Sequence, residues 1–153
     1  MIYLSLDPGL ISGAWAAIDH NGAFVACGDI HHANDRVQPR MLRIALEQAI
    51  PKGDSCEIAI ENVFGMPGQG ISSTSKFMRA TGCIEAVALM MHYPVHFVRP
   101  QEWKKHHGLI GTTKKESLAL AREKWPTAPL NLAKHHGRSD ALLMADWLRD
   151  SLD

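Results

Sequence analysis

Three short apolar runs stand at the head of the chain, over residues 2–6, 14–18 and 23–30, and the residues between them decide what they can become. Asn21-Gly22 separates the second run from the third, and both residues tolerate the positive φ of a two-residue hairpin turn. Asp7-Pro8-Gly9 separates the first from the second and favours a tight turn. The three runs therefore predict an antiparallel meander. Val37, Met41, Ile44, Ala45 and Ile50 then recur near helical spacing, with Asn34 or Asp35 as cap, until Pro51-Lys52-Gly53 ends the pattern. The apolar run over 57–61 is entered from that helix and is expected to lie parallel to the first strand.

Beyond it lies a glycine-rich loop over 65–70. A long helix over 72–91 follows, capped by Ser72 or Ser73 and stopped by Pro94, with Phe77, Ile84, Ala88 and Met91 on its inner face. A fifth strand spans 95–98 and a short helix begins at Pro100. Thr112 or Thr113 caps another helix, closed by Pro126, and the last helix spans 139–152. The expected fold is α/β: a mixed five-stranded sheet, first three strands antiparallel and then parallel, flanked by helices. A chain of 153 residues suits a single domain over 1–153. No apolar stretch approaches the roughly 20 residues that span a bilayer. The chain starts inside its first strand, which leaves no room for a signal peptide. Cys27, Cys56 and Cys83 are an odd, widely spaced set best read as reduced thiols, so the expected compartment is cytoplasmic.

Three acids occupy element ends. Asp7 closes the first strand, Glu61 closes the run over 57–61, and Asp140 opens the last helix. Asp7 has two readings, a simple turn residue or a ligand at the rim of the core. Carboxylates at the C-terminal edges of neighbouring buried strands, joined by one from a helix packed across them, suit a pair of Mg²⁺ or Mn²⁺ ions, which prefer oxygen donors. Two such ions about 3.5–4 Å apart hydrolyse phosphodiesters. Asp7 would bridge them, Glu61 would bind one, and Asp140 would complete the set. His136 lies four residues before Asp140 and shares its face if the helix reaches back that far, as a metal ligand or a proton carrier. Gly137 leaves open the alternative that His136 sits in the preceding loop.

Formal net charge is +0, yet Arg99, Lys104, Lys105, Lys114 and Lys115 crowd one stretch against Glu102 alone, and Lys134 and Arg138 flank His135-His136. Such stretches form either a phosphate-binding face or ordinary solvated helix surface. Phe64 stands in the loop after Glu61. It either stacks on an unpaired base, worth on the order of 1–3 kcal/mol, or folds back on the core with Met66. Lys76 and Arg79 can anchor phosphates of the same strand. The helix over 72–91 also carries Met78, Ala80, Ala86, Leu89 and Met90, more apolar circumference than one buried face requires, and can pair with its copy in a two-fold dimer.

Leu6-Asp7-Pro8-Gly9, Ile60-Glu61-Asn62-Val63-Phe64, Gly82-Cys83-Ile84-Glu85, Val98-Arg99-Pro100-Gln101-Glu102-Trp103-Lys104 and Ser139-Asp140-Ala141-Leu142 occur in that order across nearly the whole chain. In this combination the sequence resembles the RuvC family of Holliday junction resolvases. The resemblance implies an RNase H-like fold, a homodimer, and divalent-metal cleavage of four-way DNA junctions by symmetric nicking in a bacterial or phage-infected cell. By the same resemblance, Asp7 and Glu61 match the first two metal ligands and Asp140 the final acid. Phe64 matches an aromatic residue that stacks on a junction base. Lys104 matches a basic catalytic position, and Lys114 or Lys115 another. One departure stands out: the family commonly carries an acid or histidine three residues before the last aspartate, where this chain has Gly137. Two alternatives remain, an RNase H-like nuclease acting on other branched DNA and a non-catalytic junction-binding protein.

Other features carry no function at this level. His92 and His96 have ligand spacing that Pro94 breaks. The pairs His31-His32 and His106-His107 are expected to diverge into solvent. Trp15, Trp103, Trp125 and Trp147 read as packing.

Overall fold

Alternation of side chains writes the sheet. In β1 (Ile2–Asp7), Ile2, Leu4 and Leu6 face one layer while Tyr3 faces the other, and β2 (Ala14–Asp19) repeats the pattern with Trp15 and Ala17 against Ala16 and Ile18. β2 pairs antiparallel with β1 and with β3 (Phe24–Asp29), as expected of the Asn21-Gly22 turn, where Gly22 has φ 78°. The computed structural model describes residues 1–64, 68 and 70–152.

A two-stranded ribbon absent from the expected elements follows, β4 (His32–Ala33) paired with β5 (Arg36–Val37). Asn34 and Asp35 form its turn, with φ 51° and 57°, instead of capping a helix. Both residues tolerate the left-handed region, which is why the same pair reads as cap or as turn. α1 (Pro39–Ala49) begins instead at its proline and buries Leu42, Leu46 and Ala49. Met41 and Ile44, expected on its inner face, are exposed.

β6 (Cys56–Glu61) runs parallel to β1, and β7 (Val95–Val98) parallel to β6, giving the order β3-β2-β1-β6-β7. The expected sheet is present strand for strand. α2 (Ile71–Leu89) starts from Gly70, not from Ser72 or Ser73. α3 (Pro100–His106) and α4 (Lys114–Lys124) follow, then a 3₁₀ turn over Ala133–His135 that leads directly into α5 (His136–Leu152). No helix among the described residues is long and apolar enough to cross a membrane.

Two hydrophobic layers cover the sheet. α1 and α2 close over Leu4, Leu6, Ile58 and Ile60, while Trp103 and the inner faces of α4 and α5 close over Tyr3, Ala16, Ile18 and Ala59. The second layer is lined by small residues. Ser5, Ala16 and Ala59 on the sheet meet Ala141 and Ala145 on α5, and the Ser5 hydroxyl donates to the Ala141 carbonyl. Small side chains let α5 lie close upon β1 and β2, which brings the start of α5 to the end of β1.

Candidate functional site

The parallel register Leu6↔Ile60 makes Asp7 and Glu61 the next residues on adjacent strands, so both carboxylates emerge at one edge of the sheet. α5 supplies the third. Gly137, one turn before Asp140, faces Asp7: a Cβ built there would lie 3.6 Å from Asp7 Oδ2, but only 2.5 Å from the Ser12 carbonyl oxygen and 3.3 Å from Ala14 Cβ. Backbone from the loop after β1 thus occupies the space where a side chain at 137 would stand. That loop is itself drawn tight, since a Cβ on Gly13 would meet the Gly9 carbonyl oxygen at 2.4 Å.

Electrostatics tie the three acids together. Burial pushes the Asp7 carboxyl well above the usual carboxylate range, and the charges of Glu61 and Asp140 push it further, with Lys114 and Lys104 opposing. Glu61 is raised by burial against the Trp103 hydrogen bond, the Lys104 charge and a hydrogen bond with Asp7. Asp140 is raised by burial, opposed by the Ser117 hydroxyl, Lys104 and Lys114. Each of the three carboxyls is therefore harder to ionise than a solvated one. Asp140 Oδ1 is buried and has no hydrogen-bond partner among the described residues. Such an oxygen is costly unless a cation completes it, and an all-oxygen donor set suits Mg²⁺ or Mn²⁺.

Two lysines converge on these acids. α3 is started by Pro100 and by the Glu102 carboxylate accepting from the Arg99 backbone N–H at 2.7 Å, which sets Trp103 inward and Lys104 toward the acids. α4 begins at Lys114 because Thr113 caps it, its hydroxyl accepting from the Lys115 N–H at 3.3 Å while Glu116 Oε2 accepts from the Thr113 N–H at 3.0 Å. Lys104, Lys114, Ser117 and Asp140 line a cleft of about 80 Å³. That is too small for a typical small-molecule pocket of about 300–1,000 Å³. An open edge with two cations suits a phosphate carried on a polymer.

The remaining residues singled out from the sequence fall into distinct places. His136 is the first residue of α5, on a neighbouring cleft it shares with Ser12, Lys134 and Gly137; burial and the Lys114 charge lower its pKa. Phe64 is 71% exposed just past β6 and does not fold back on the core; Met66 lies outside the described residues. Lys105 and Lys115 are exposed. Lys76 pairs with Asp35 at 2.6 Å, and Arg79 Nη2 donates to the Asp35 carbonyl at 3.0 Å, so both clasp the β4–β5 turn. Arg138 donates to both carboxylate oxygens of Asp29, at 2.7 and 2.8 Å.

Trp103 has a polar role beyond packing. Its buried Nε1–H donates to Glu61 Oε1 at 2.9 Å. The signal available in the sequence was a tryptophan one residue before a basic position matched to the site, but pairing with Glu61 depends on β7 delivering α3 beside β6.

A second group of possible ligands differs in character. Donor atoms of His106, His107 and Asp146 lie within 4.8 Å of one another. Asp146, however, is buried against Lys124 and Arg149, and His107 Nε2 donates to the Leu143 carbonyl at 2.7 Å. Two resident cations make this an ion-pair network that repels a metal. The two rings also meet edge to face at 4.7 Å, and the His107 side chain is buried, contrary to the expectation of a solvated pair.

Comparison with known proteins places this geometry. The family model described as crossover junction endodeoxyribonuclease RuvC matches residues 3–145. The chloroplastic Holliday junction resolvase MOC1 of Chlamydomonas reinhardtii is 33% identical over 115 residues, covering 70% of this chain. The match spans 13% of that relative's length. Among solved structures, Thermus thermophilus RuvC in complex with Holliday junction substrate superposes with a TM-score of 0.70 at 14% identity, covering 99% of this chain and 96% of that one. A second T. thermophilus RuvC structure gives 0.67 at 16% identity, covering 99% and 97%. The acids at the ends of β1, β6 and the start of α5 are thus carried on an RNase H-like sheet matched almost end to end, and the chain belongs to the RuvC family.

Proposed function

We propose that the chain is a divalent-metal-dependent endonuclease that resolves four-way DNA junctions by symmetric phosphodiester hydrolysis as a dimer, with residues 1–153 acting as one nuclease domain. One observation carries this reading: three half-buried carboxylates from β1, β6 and α5 are gathered at a cost in mutual repulsion, and Asp140 Oδ1 is buried with no hydrogen-bond partner among the described residues. Family membership and the relatives' junction substrates support it.

Asp7, Glu61 and Asp140 would hold two Mg²⁺ or Mn²⁺ ions, with His136 a further ligand or a proton carrier. The chemistry such ions would supply is activation of a water for attack on phosphorus and stabilisation of the departing 3′ oxygen. Lys104 and Lys114 neutralise the phosphate that enters between them. Phe64, exposed three residues past Glu61, stacks on a base unpaired at the branch point. Ile71, Met78 and Leu89 are exposed on α2 at intervals of seven and eleven residues, one stripe on which two copies can pack so that both strands are cut.

A labelled four-way junction and a linear duplex, each with and without Mg²⁺ or Mn²⁺, test the proposal. Metal-dependent nicking of the junction is expected, abolished in Asp7→Asn with binding retained. Binding without nicking under any metal would leave a junction-binding protein, and equal cutting of linear duplex would remove junction selectivity.

A further inference from the structure

We infer that Trp103 is a positioning residue for Glu61, its indole N–H holding one carboxylate oxygen so that the other is presented to a divalent cation. The inference rests on the metal-binding reading of Glu61.

A buried indole N–H must find an acceptor, and the choice of acceptor separates packing from positioning. Trp125 is buried as well, and its Nε1 donates to the backbone carbonyl of Gly22 at 2.9 Å. Trp103 Nε1 donates instead to a carboxylate at the sheet edge. Trp103 is 1% exposed and belongs to the same hydrophobic layer as Tyr3, Ala59, Val98 and Leu109, and a close-packed interior restricts the rotamers of so large a side chain. Pro100 and the Glu102 cap anchor the helix that carries it. The donor is therefore fixed by core packing, and Glu61, at a strand end with freedom in three side-chain torsions, is the partner that is oriented. One charge-assisted bond engages Oε1, so the rest of the carboxylate, which meets Asp7 in the metal-free chain, would be the part offered to an ion. Lys104 Nζ lies 5.3 Å from the Trp103 ring centroid, so the same turn orders a phosphate-neutralising cation beside the ligand it orients.

Trp103→Phe keeps an aromatic ring in the core and removes only the donor. Calorimetric titration of the full chain with Mn²⁺ alone is expected to show affinity weakened about 10- to 100-fold. Nicking should recover toward the wild-type rate at high Mg²⁺, moving the half-saturating metal concentration more than the maximal rate. Trp125→Phe is expected to bind Mn²⁺ as wild type does, and Trp103→Phe is expected to add nothing in a Glu61→Gln background. Unchanged Mn²⁺ affinity in Trp103→Phe, or an equal loss in Trp125→Phe, would overturn the positioning role while leaving the metal site standing. Failure of the wild type itself to bind Mn²⁺ would overturn both. Should Trp103→Phe fail to fold, the wild type still decides the matter: of its four ¹⁵N-labelled indole signals, that of Trp103 should shift with Mg²⁺ and broaden with Mn²⁺. An unmoved Trp103 signal at saturating metal refutes the inference.

Discussion

Asp7 is the last residue of a strand otherwise buried, and its carboxyl is pushed well above the usual carboxylate range by burial, by Glu61 and by Asp140. Glu61 and Asp140 are raised as well. In the metal-free protein the folded chain consequently binds more protons than the unfolded chain above about pH 4, the ordinary carboxylate range. Stability then falls as pH rises, until the raised pKa values are passed. Melting in EDTA across pH 4 to 8 should show this decline, shallower in Asp7→Asn, whose melting temperature at pH 7 should exceed that of wild type. Mn²⁺ should restore the wild type. An equally steep decline in Asp7→Asn would contradict the coupling. Gly137 is the complementary residue, defined by what cannot be there. Gly137→Ala sets a methyl against the Ser12 carbonyl and is expected to cost about 1–3 kcal/mol in urea unfolding.

At the scale of elements, α5 connects packing to the site. Its alanines meet small residues of β1, β2 and β6, and Arg138 ties its first turn to the end of β3 through Asp29. Ala141→Leu should lift the helix, destabilising by about 1–3 kcal/mol and removing nicking even where the variant remains folded, because Asp140 moves with the helix. Arg138 and Lys114, both candidates for DNA contact from the sequence, separate here. Arg138 is engaged by Asp29, more than half exposed, so Arg138→Ala is expected to cost no more than about 1 kcal/mol and to leave junction affinity unchanged. Lys114→Ala should weaken junction binding and lower the slope of log K against log[salt] by about one. Loss of affinity in Arg138→Ala at unchanged stability would reverse that assignment.

At the scale of the molecule, the sheet presents its acids at one edge while α2 leaves an apolar stripe in water. Leu89→Glu should yield a monomer in sedimentation and convert paired junction cuts into single nicks; an unaltered dimer would exclude α2 as the interface. The antiparallel meander, the parallel strands after it and the positions of the three acids at element ends were legible in the chain because they depend on local pattern: alternation, a two-residue turn, and a carboxylate where an apolar run stops. The β4–β5 ribbon was hidden because Asn34-Asp35 suits a turn and a helix cap equally well. Partners were hidden too. Lys76, Arg79 and Arg138 are surface cations by sequence, and only folding brings Asp35 and Asp29 to them. His136 joined α5 because the helix continues through Gly137, whose missing side chain admits the Ser12 carbonyl. Sequence by itself determined which residues end the strands, since backbone periodicity acts over a few residues. Tertiary structure alone decided what surrounds them, since the indole on Glu61 and the backbone filling position 137 arrive from segments 42 and about 125 residues away, through core packing that no local pattern encodes.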